Sequence, residues 1–358
     1  MKKIIPVIPI LLLLSLLTAC TSQQVYISIE PHNMESDARS GDSAGTTIHD
    51  YAGLRSAMLS LVRDSAESGT IRAEGYEGTI ADDLAQAVYD ITHTDPLGAY
   101  AVDYMTYDYS KIVSSYEIHM SITYRRTTEE IASVVYVEDN AAMEDKITDA
   151  MSSYSGLLRL RVGIFQETDF DALVQNIYRA HPEFALELPE LTVSSYPDSG
   201  TQRILELQFD YENPPDVLEA CREEMTAALE NISYIYGGNP TQSVCTRRFY
   251  RRVTRDGSLV TQQEQLGTFV NSVYGALIEG NATSYGYAQA FSMLMNSKDI
   301  PCAVVEGTYL GQAHSWCRIV LEEGVMYADP SALLMDGGDI PMLMEYTELS
   351  FYGYSLSA

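Results

Sequence analysis

Residues 283–291 read TSYGYAQAF, and this stretch decides the fold of the C-terminal third of the chain. It opens with a residue suited to cap a helix, either Thr283 or Ser284, because a hydroxyl can accept a hydrogen bond from the first free amides of a helix. The apolar side chains recur with the helical period and predict an amphipathic helix. They are Tyr287, Ala288, Phe291, Leu294 and Met295.

Three strands are predicted on the C-terminal side of this helix. Residues 300–307 (IPCAVVEG) and 314–320 (HSWCRIV) have the composition of the two arms of a hairpin, and residues 325–330 (VMYADP) that of a third strand. On the N-terminal side, residues 263–278 predict another helix, closed by Gly280. The order of the C-terminal third is therefore helix, helix, strand, strand, strand.

Taken in order, these segments resemble the transglutaminase-like superfamily, whose bacterial members share a papain-like Cys-His-Asp arrangement. The family pattern runs Tyr-x-Ala-Leu, Cys-x-Gly-Tyr-Ala-x-Ala-Phe, Gly-Ile-Pro-Cys-x-x-Val-x-Gly, His-x-Trp-Asn and Tyr-x-x-Asp-Pro-Thr. The counterparts are residues 274–277, 284–291, 299–307, 314–317 and 327–331. The resemblance covers roughly residues 245–335. It implies an α+β fold in which a helix carries the nucleophile position and packs against an antiparallel sheet.

The resemblance also implies a site. Its catalytic positions are Ser284, His314 and Asp329. The supporting positions are Tyr274, Gly286, Tyr287 and Trp316.

Two positions depart from the family pattern. Ser284 stands where the family has its nucleophilic Cys, and Cys317 stands where the family usually has Asn. A cysteine at a helix N-terminus beside a histidine is ionised before the substrate arrives, because both features lower the pKa of the thiol. A serine hydroxyl is not ionised in that way, so His314 must act as a general base during the attack, with Asp329 orienting the imidazole.

Three functions follow from these departures. The leading hypothesis is a domain that engages peptides or glutamine-like side chains and is attenuated or inactive because of Ser284. The second is an active acyl-transfer enzyme, namely a peptidase, an amidase or a transglutaminase, that uses Ser284, His314 and Asp329. The third is a non-catalytic cell-surface scaffold. Each residue also has a simpler explanation, since Ser284 can be a helix cap, His314 a strand histidine and Asp329 a turn residue.

The middle of the chain contains an internal repeat. Gly69 and Gly156 are 87 residues apart, and Tyr116 and Arg203 are also 87 apart. Each copy has the pattern of strand, helix, strand, strand, and its middle strand is predicted over residues 100–104 in the first copy and 184–188 in the second. The pattern predicts two small α+β modules over residues 48–155 and 156–235. The alternative is a coincidence between two ordinary αβ segments. The domain that resembles the transglutaminases then occupies residues 236–358. No group of catalytic residues occurs in either module. The modules are therefore predicted to position or to recognise a ligand rather than to catalyse a reaction.

The N-terminal 20 residues are predicted to be a lipoprotein signal peptide. Lys2 and Lys3 precede an apolar stretch, residues 4–17, that is too short and too interrupted for a comfortable membrane span. Residues 17–20 (LTAC) resemble the bacterial lipobox, which implies a lipid on Cys20. An ordinary secretory signal or an uncleaved anchor are the alternatives. Residues 21–47 predict a flexible linker, and the protein is expected at the extracytoplasmic face of a bacterial cell membrane, held there by its lipid.

The amino-acid composition limits the classes of molecule that the protein can bind. The 22 Lys and Arg residues against 50 Asp and Glu residues give a net charge of −28, so the surface repels nucleic acid and anionic headgroups. The expected partner is a peptide or a protein at the cell envelope.

Four cysteines follow Cys20, and free buried thiols are favoured over one or two disulfides. They are Cys221, Cys245, Cys302 and Cys317. Neither metal-ligand spacing nor a phosphate-binding loop is found in the sequence, and no cofactor is expected.

Overall fold

One pattern of helices and strands occurs twice between residues 47 and 235. The structure is a computed structural model, and it describes residues 47–235, 241–261, 268–335 and 339–356. The first occurrence consists of β1 (Thr47–Ile48), α1 (Tyr51–Arg63), β2 (Ser68–Glu74), α2 (Ile80–His93), α3 (Pro96–Ala101), β3 (Val102–Ile112) and β4 (Ser115–Tyr124). The second consists of α4 (Thr128–Ala132), β5 (Val135–Asp139), α5 (Asn140–Ser152), β6 (Leu157–Ile164), α6 (Phe170–Ala180), β7 (Glu190–Tyr196), β8 (Arg203–Asp210) and α7 (Pro215–Ile235).

The two occurrences form sheets of the same topology. The strand order is β1-β2-β4-β3 in the first sheet and β5-β6-β8-β7 in the second. In both sheets the first two strands are parallel, and the remaining pairs are antiparallel. Corresponding strands begin at Ser115 and Arg203, which are 88 residues apart. We refer to residues 47–124 as repeat 1 and to residues 128–235 as repeat 2.

The second sheet begins earlier than the predicted boundary between modules 48–155 and 156–235. Strand β5 pairs in parallel with β6, with Val137 opposite Val162, and α5 packs against both strands. Strand pairing therefore groups residues 135–152 with repeat 2. The sequence signal for β5 is weak, because this strand of five residues has a single buried side chain, that of Val137.

Two predicted strands are placed differently in the structure. The apolar run 184–188 is an irregular segment in which the backbone amide of Phe184 donates to His181, and the neighbouring strand is β7, which begins at Glu190. Phe184 and Leu186 are buried, which accounts for the apolar run without a strand. Tyr100 belongs to the end of α3, and β3 begins only at Val102.

The C-terminal part follows the predicted order of a helix and then three strands. Its elements are α8 (Gln242–Val253), β9 (Ser258–Leu259), a π-helical turn (Gly275–Glu279), β10 (Asn281–Ala282), α9 (Ser284–Asn296), β11 (Cys302–Tyr309), β12 (Gln312–Leu321), β13 (Gly324–Ala328), a 3-10 turn (Pro330–Leu334), α10 (Tyr346–Leu349) and β14 (Tyr354–Leu356). The sheet order is β13-β12-β11-β14, all antiparallel, and α9 packs against β11 and β12. The chain is thus of the α+β class.

The helix predicted over residues 263–278 is present only in part. Residues 262–267 lie outside the described residues, residues 268–272 form turns, and the helical segment ends in the π-helical turn. Gly280 closes it as predicted, with a φ of 64°, in the left-handed region that favours glycine.

The predicted signal segment, residues 1–20, lies outside the described residues, as does the predicted linker apart from Thr47. Among the helices that the structure describes, none is both long enough and apolar enough to cross a membrane.

Two large apolar cores organise these elements, and a third, smaller cluster lies around Trp316, Tyr327 and Tyr354. One core belongs to repeat 1 and includes a single distant side chain, that of Ile204 on β8. The other core is shared by repeat 2 and the C-terminal part, and it runs from Val137 to Ala328. Because repeat 2 and the C-terminal part bury one common core, a cleft between them has walls that are fixed by packing.

An ion cluster joins repeat 1 to repeat 2. Glu206 on β8 accepts hydrogen bonds from Arg126 at 2.9 Å and from Arg159 at 2.8 Å. The guanidinium of Arg126 also lies over the ring of Tyr100, 4.9 Å from its centroid. Glu130 completes the cluster, 3.1 Å from Arg159 and 3.6 Å from Arg126. Arg126, Arg159 and Glu206 are only 14–19% exposed, so they are partly desolvated and depend on their partners.

Removing the carboxylate of this cluster should destabilise the protein. We expect Glu206→Ala to lower the free energy of unfolding by about 1–2 kcal/mol, because two partly buried guanidinium groups each lose one of their two counter-charges and keep only the more exposed Glu130. Urea denaturation followed by circular dichroism measures the change. The matched control is Lys146→Ala, which breaks the exposed pair of Lys146 and Asp149 at 2.8 Å and should leave the free energy of unfolding nearly unchanged. Equal losses in the two variants would contradict this prediction.

Candidate active site

The N-terminus of α9 is capped by Thr283. The hydroxyl of Thr283 accepts from the amide of Gly286 at 3.4 Å and donates to Oδ1 of Asn271 at 2.8 Å. Ser284 is therefore the first residue of the helix and not its cap. A Cβ atom at Gly286 would lie 2.8 Å from the carbonyl oxygen of Val270, so this position admits only glycine without a backbone shift.

Tyr287 anchors the same turn from inside. Its ring is completely buried, and its hydroxyl donates to the carbonyl oxygen of Ser258 at 2.9 Å. Tyr287 thus fixes the start of α9 to the chain before it. Gly286 and Tyr287 therefore lie in the first turn of α9, beside Ser284, and their supporting role at a site stays a prediction.

His314 and Asp329 form a hydrogen-bonded pair. Nε2 of His314 lies 2.7 Å from Oδ2 of Asp329. The side chain of His314 is 8% exposed, and that of Asp329 is completely buried. Because Nε2 faces the carboxylate, a neutral imidazole donates its proton there and keeps its lone pair on Nδ1. Strand β12 supplies the histidine, and the end of β13 supplies the aspartate.

Asp329 accepts three further hydrogen bonds. Oδ1 accepts from the backbone amide of Ser331 at 2.9 Å and from its hydroxyl at 2.6 Å. Oδ2 also accepts from the hydroxyl of Tyr354 at 2.7 Å. Four donors fix the orientation of this buried carboxylate, so Asp329 can in turn orient the imidazole of His314.

Tyr354 was not found by sequence reasoning, because the family pattern ends before β14. Burial raises the pKa of the Tyr354 hydroxyl, and the charge of Asp329 raises it further. The hydroxyl therefore stays protonated and remains a donor to the carboxylate. Tyr354 is carried by a strand of three residues that pairs with β11, which brings the C-terminal segment to the site. The segment has no periodic pattern that could have indicated this pairing.

An aromatic wall holds the imidazole on one side. The rings of His314 and Trp316 stack, with their centroids 6.4 Å apart at an angle of 25°. Trp316 is completely buried and contacts Tyr354 edge to face at 5.1 Å. Gly307 makes room for this arrangement, since a Cβ there would lie 2.6 Å from the Trp316 ring and 2.1 Å from the carbonyl oxygen of Ser355.

Ser284 lies next to β12 but is not joined to the imidazole. Its Oγ accepts from the backbone amide of Ser315 at 3.1 Å, and its side chain is half-buried. Within the described residues, no hydrogen bond links Ser284 to His314. The structure thus brings the three predicted residues to one place, but the contact through which His314 would remove the serine proton is not formed.

Tyr274, another predicted supporting residue, makes its contacts away from His314 and Asp329. Its hydroxyl donates to Glu224 of α7 at 3.1 Å, and its ring packs edge to face against Phe269. Its contacts tie the turn before α9 to α7 rather than to His314 and Asp329.

The cysteines near the site are not alternative nucleophiles. Cys317 is completely buried and donates to the carbonyl oxygen of Ala288 at 3.2 Å. Burial, with Cys302 beside it, raises the pKa of the Cys317 thiol. Cys302 pairs with Ile319 across the hairpin, so the two thiols are diagonal and not directly opposite neighbours. Both are free in the structure, as are Cys221 and Cys245.

A cleft of about 740 Å³ opens beside Ser284. The C-terminal part contributes Tyr285, which follows Ser284, and Ser315, whose amide contacts it. Repeat 2 contributes the opposite wall, formed by α6, the segment after it and the end of the β7–β8 pair. Among the described residues, no group of three or more His, Cys, Asp or Glu side chains is arranged to hold a metal ion.

Comparisons with known proteins give distant likenesses. No protein-family model and no curated protein sequence matches the chain. The chain is similar to a crystal structure of a transglutaminase (TGase), with 11% identity and a TM-score of 0.30, over 66% of this chain and 67% of that one. It is also similar to a candidate protease from Parabacteroides distasonis, with 7% identity and a TM-score of 0.25, over 73% of this chain and 39% of that one. Functional inference therefore rests on the residues of the site.

A thiol placed at position 284 tests whether the site keeps its ionising environment. We expect Ser284→Cys to react with iodoacetamide at pH 6 about tenfold faster than an ordinary thiol, because the helix N-terminus and His314 stabilise the thiolate. Mass spectrometry of the modified peptide measures the rate. Adding His314→Ala should remove most of the excess rate, and adding Asp329→Asn should reduce it less.

The matched control is Gln242→Cys. Gln242 is the first residue of α8, as Ser284 is of α9, and the cap before it is also a threonine. This variant isolates the contribution of the helix from that of the imidazole. A Ser284→Cys thiol that reacts no faster than the Gln242→Cys thiol would show that the His314–Asp329 pair does not act on position 284.

Proposed function

We propose that the C-terminal part is a transglutaminase-like domain that engages a peptide or a glutamine-like side chain with little or no turnover. The proposal rests on the arrangement of two side chains, that of Ser284 on α9 and that of His314 on β12. The orienting machinery is intact, since His314 is held by a fully hydrogen-bonded Asp329. The reacting group is not in place, because the hydroxyl of Ser284 is bonded to the Ser315 amide and not to the imidazole of His314.

The physical reason for weak turnover is the difference between the two nucleophiles. A thiolate next to an imidazolium is ready to attack, whereas a hydroxyl must lose its proton in the same step. That step needs Oγ within hydrogen-bonding reach of the base, about 2.6–3.2 Å. The sulfur atom of the family nucleophile is larger and extends farther than an oxygen. Replacing it by oxygen leaves the rest of the site unchanged and removes the contact.

A working acyl-transfer enzyme is the second candidate, and one observation favours it. The carboxylate of Asp329 faces Nε2 of His314, which leaves the lone pair of a neutral imidazole on Nδ1. A neutral imidazole oriented by a carboxylate is what a serine nucleophile requires. In this mechanism Ser284 attacks the carbonyl carbon, His314 takes the hydroxyl proton and returns it to the leaving amine, and Asp329 stabilises the imidazolium.

Binding and turnover separate these candidates. The chain from Ser22 onward is incubated with a fluorescent glutaminyl peptide, with and without a labelled amine, and with a general peptide library. We expect peptide binding by fluorescence anisotropy, and no release of ammonia, amine incorporation or cleavage above the level of the His314→Ala variant. Turnover that disappears in His314→Ala would establish the enzyme and overturn the leading proposal. Neither binding nor turnover would leave a scaffold that acts through the repeats.

We also propose that the protein is anchored by a lipid at Cys20 on the extracytoplasmic face of a bacterial membrane. The support is the sequence 17–20, LTAC, after the apolar stretch. In metabolic labelling with a fatty-acid probe, Cys20→Ala should abolish incorporation and shift the protein out of the detergent phase. Membrane association that is unchanged in Cys20→Ala would show that residues 4–17 remain as the anchor.

A further inference from the structure

The cleft beside Ser284 has the dimensions of a ligand site. Its volume of about 740 Å³ lies within the usual range of roughly 300–1,000 Å³ for such sites. It adjoins the candidate site directly, because Ser315 lines it and the Ser315 amide contacts Oγ of Ser284. A ligand whose reactive side chain reaches Ser284 therefore extends into this cleft.

The hydroxyl of Ser315 indicates that the cleft receives a polar group. Ser315 is 8% exposed, and its Oγ has no hydrogen-bond partner among the described residues. Unlike the fully buried polar atoms of the described residues that lack a partner, this hydroxyl keeps contact with solvent, and it does so in the cleft that Ser315 lines. As a lining residue of the cleft, Ser315 directs this unused hydroxyl at whatever occupies it.

The charge of the lining indicates the sign of that group. Five carboxylates and one guanidinium face the cleft. Two of the five are already engaged. Glu187 accepts from the amides of Glu212 and Asn213, and Glu306 pairs with Arg179 at 3.4 Å.

The other three carboxylates have no cationic partner in the described part of the chain. They are Glu190, Asp210 and Glu212, all exposed. The side chains that donate to two of them are neutral, namely Gln208 to Asp210 at 3.2 Å and Thr268 to Glu212 at 3.4 Å. Glu190 and Asp210 are direct partners across the β7–β8 pair. Like charges opposite each other in an antiparallel pair are destabilising, and a cation bound between them relieves that repulsion.

We propose that this cleft binds a cationic side chain, an ammonium or a guanidinium, of the peptide that the site engages. Glu190, Asp210 and Glu212 supply the counter-charges, and the Ser315 hydroxyl supplies a hydrogen bond at the end nearest Ser284. Repeat 2 is then the specificity element of the C-terminal site. This proposal rests on the peptide binding proposed above.

Peptides that differ only in charge test the proposal. The full-length chain in mild detergent is titrated with fluorescent pentapeptides that have glutamine in the centre and one varied residue at each of the other positions. The varied residue is lysine, arginine, acetyl-lysine, citrulline or glutamate. At one position or more, we expect the lysine and arginine peptides to bind about tenfold more tightly than their neutral analogues, and the difference should shrink in 0.5 M salt.

Variants assign the effect to this cleft. Glu190→Gln combined with Asp210→Asn should reduce the preference for the cationic peptides to less than about twofold. The matched control, Asp103→Asn combined with Asp108→Asn, removes the same charge from exposed positions of β3, the counterpart of β7 in repeat 1, and should keep the preference. Ser315→Ala should weaken binding several-fold and leave the urea midpoint unchanged, because its hydroxyl has no internal partner.

The outcomes distinguish this proposal from the one on which it rests. Peptide binding that ignores charge overturns the cationic subsite and leaves the proposed function standing. A cationic preference that falls equally in both double variants also overturns it, because the preference then comes from the net charge of −28. Failure of every peptide to bind overturns both proposals.

Discussion

The C-terminal site depends on one buried charge, the carboxylate of Asp329. A carboxylate removed from water is costly unless its oxygens are hydrogen-bonded, and Asp329 meets that requirement with four donors. The donors come from three separate segments, namely β12, the turn after β13 and β14. Satisfying this one group therefore requires that the hairpin, the turn and the C-terminal strand be in place together. The arrangement of the imidazole follows from the hydrogen bonding of this carboxylate.

This dependence also separates the His314–Asp329 network from position 284. Among the described residues, the side chain of Ser284 accepts a hydrogen bond from the Ser315 amide and is not bonded to that network, so the side chain at position 284 does not determine the hydrogen bonds of Asp329. Asp329, in contrast, cannot be replaced without disturbing the network. Replacing it by an apolar residue would leave His314, Ser331 and Tyr354 without their acceptor in a buried place.

The sequence predicts the parts of the fold whose signals are local. Helix α9 has an apolar stripe and a threonine cap, and the β11–β12 hairpin has two apolar runs separated by a turn. The site residues His314 and Asp329 could be predicted because they follow these elements in the order of the family pattern. The elements that could not be predicted are held by long-range pairing. Strand β14 has three residues, and β5 has one buried side chain, so neither carries a periodic pattern.

Burial without regular structure accounts for the remaining differences. The run 184–188 is apolar because Phe184 and Leu186 fill the core shared with the C-terminal part, and not because it is a strand. Tyr154 shows why the chain there is irregular, since its buried hydroxyl donates to the carbonyl of Phe184 at 2.9 Å and removes that group from any ladder. A prediction from the alternation of residues in the sequence uses only the apolar side chains. It takes no account of the hydrogen bond that the Phe184 carbonyl accepts from Tyr154, 30 residues away.

The shared core also bears on recognition. Because repeat 2 and the C-terminal part pack around the same apolar side chains, the wall that carries Glu190 and Asp210 is fixed relative to the wall that carries Ser315. A preformed cleft spends little free energy on ordering when a ligand binds, so even modest charge interactions can discriminate between ligands. Repeat 1 has a core of its own and meets repeat 2 through the Glu206 cluster. Its contribution to recognition, unlike that of repeat 2, cannot come from lining this cleft, since every residue that lines it belongs to repeat 2 or to the C-terminal part.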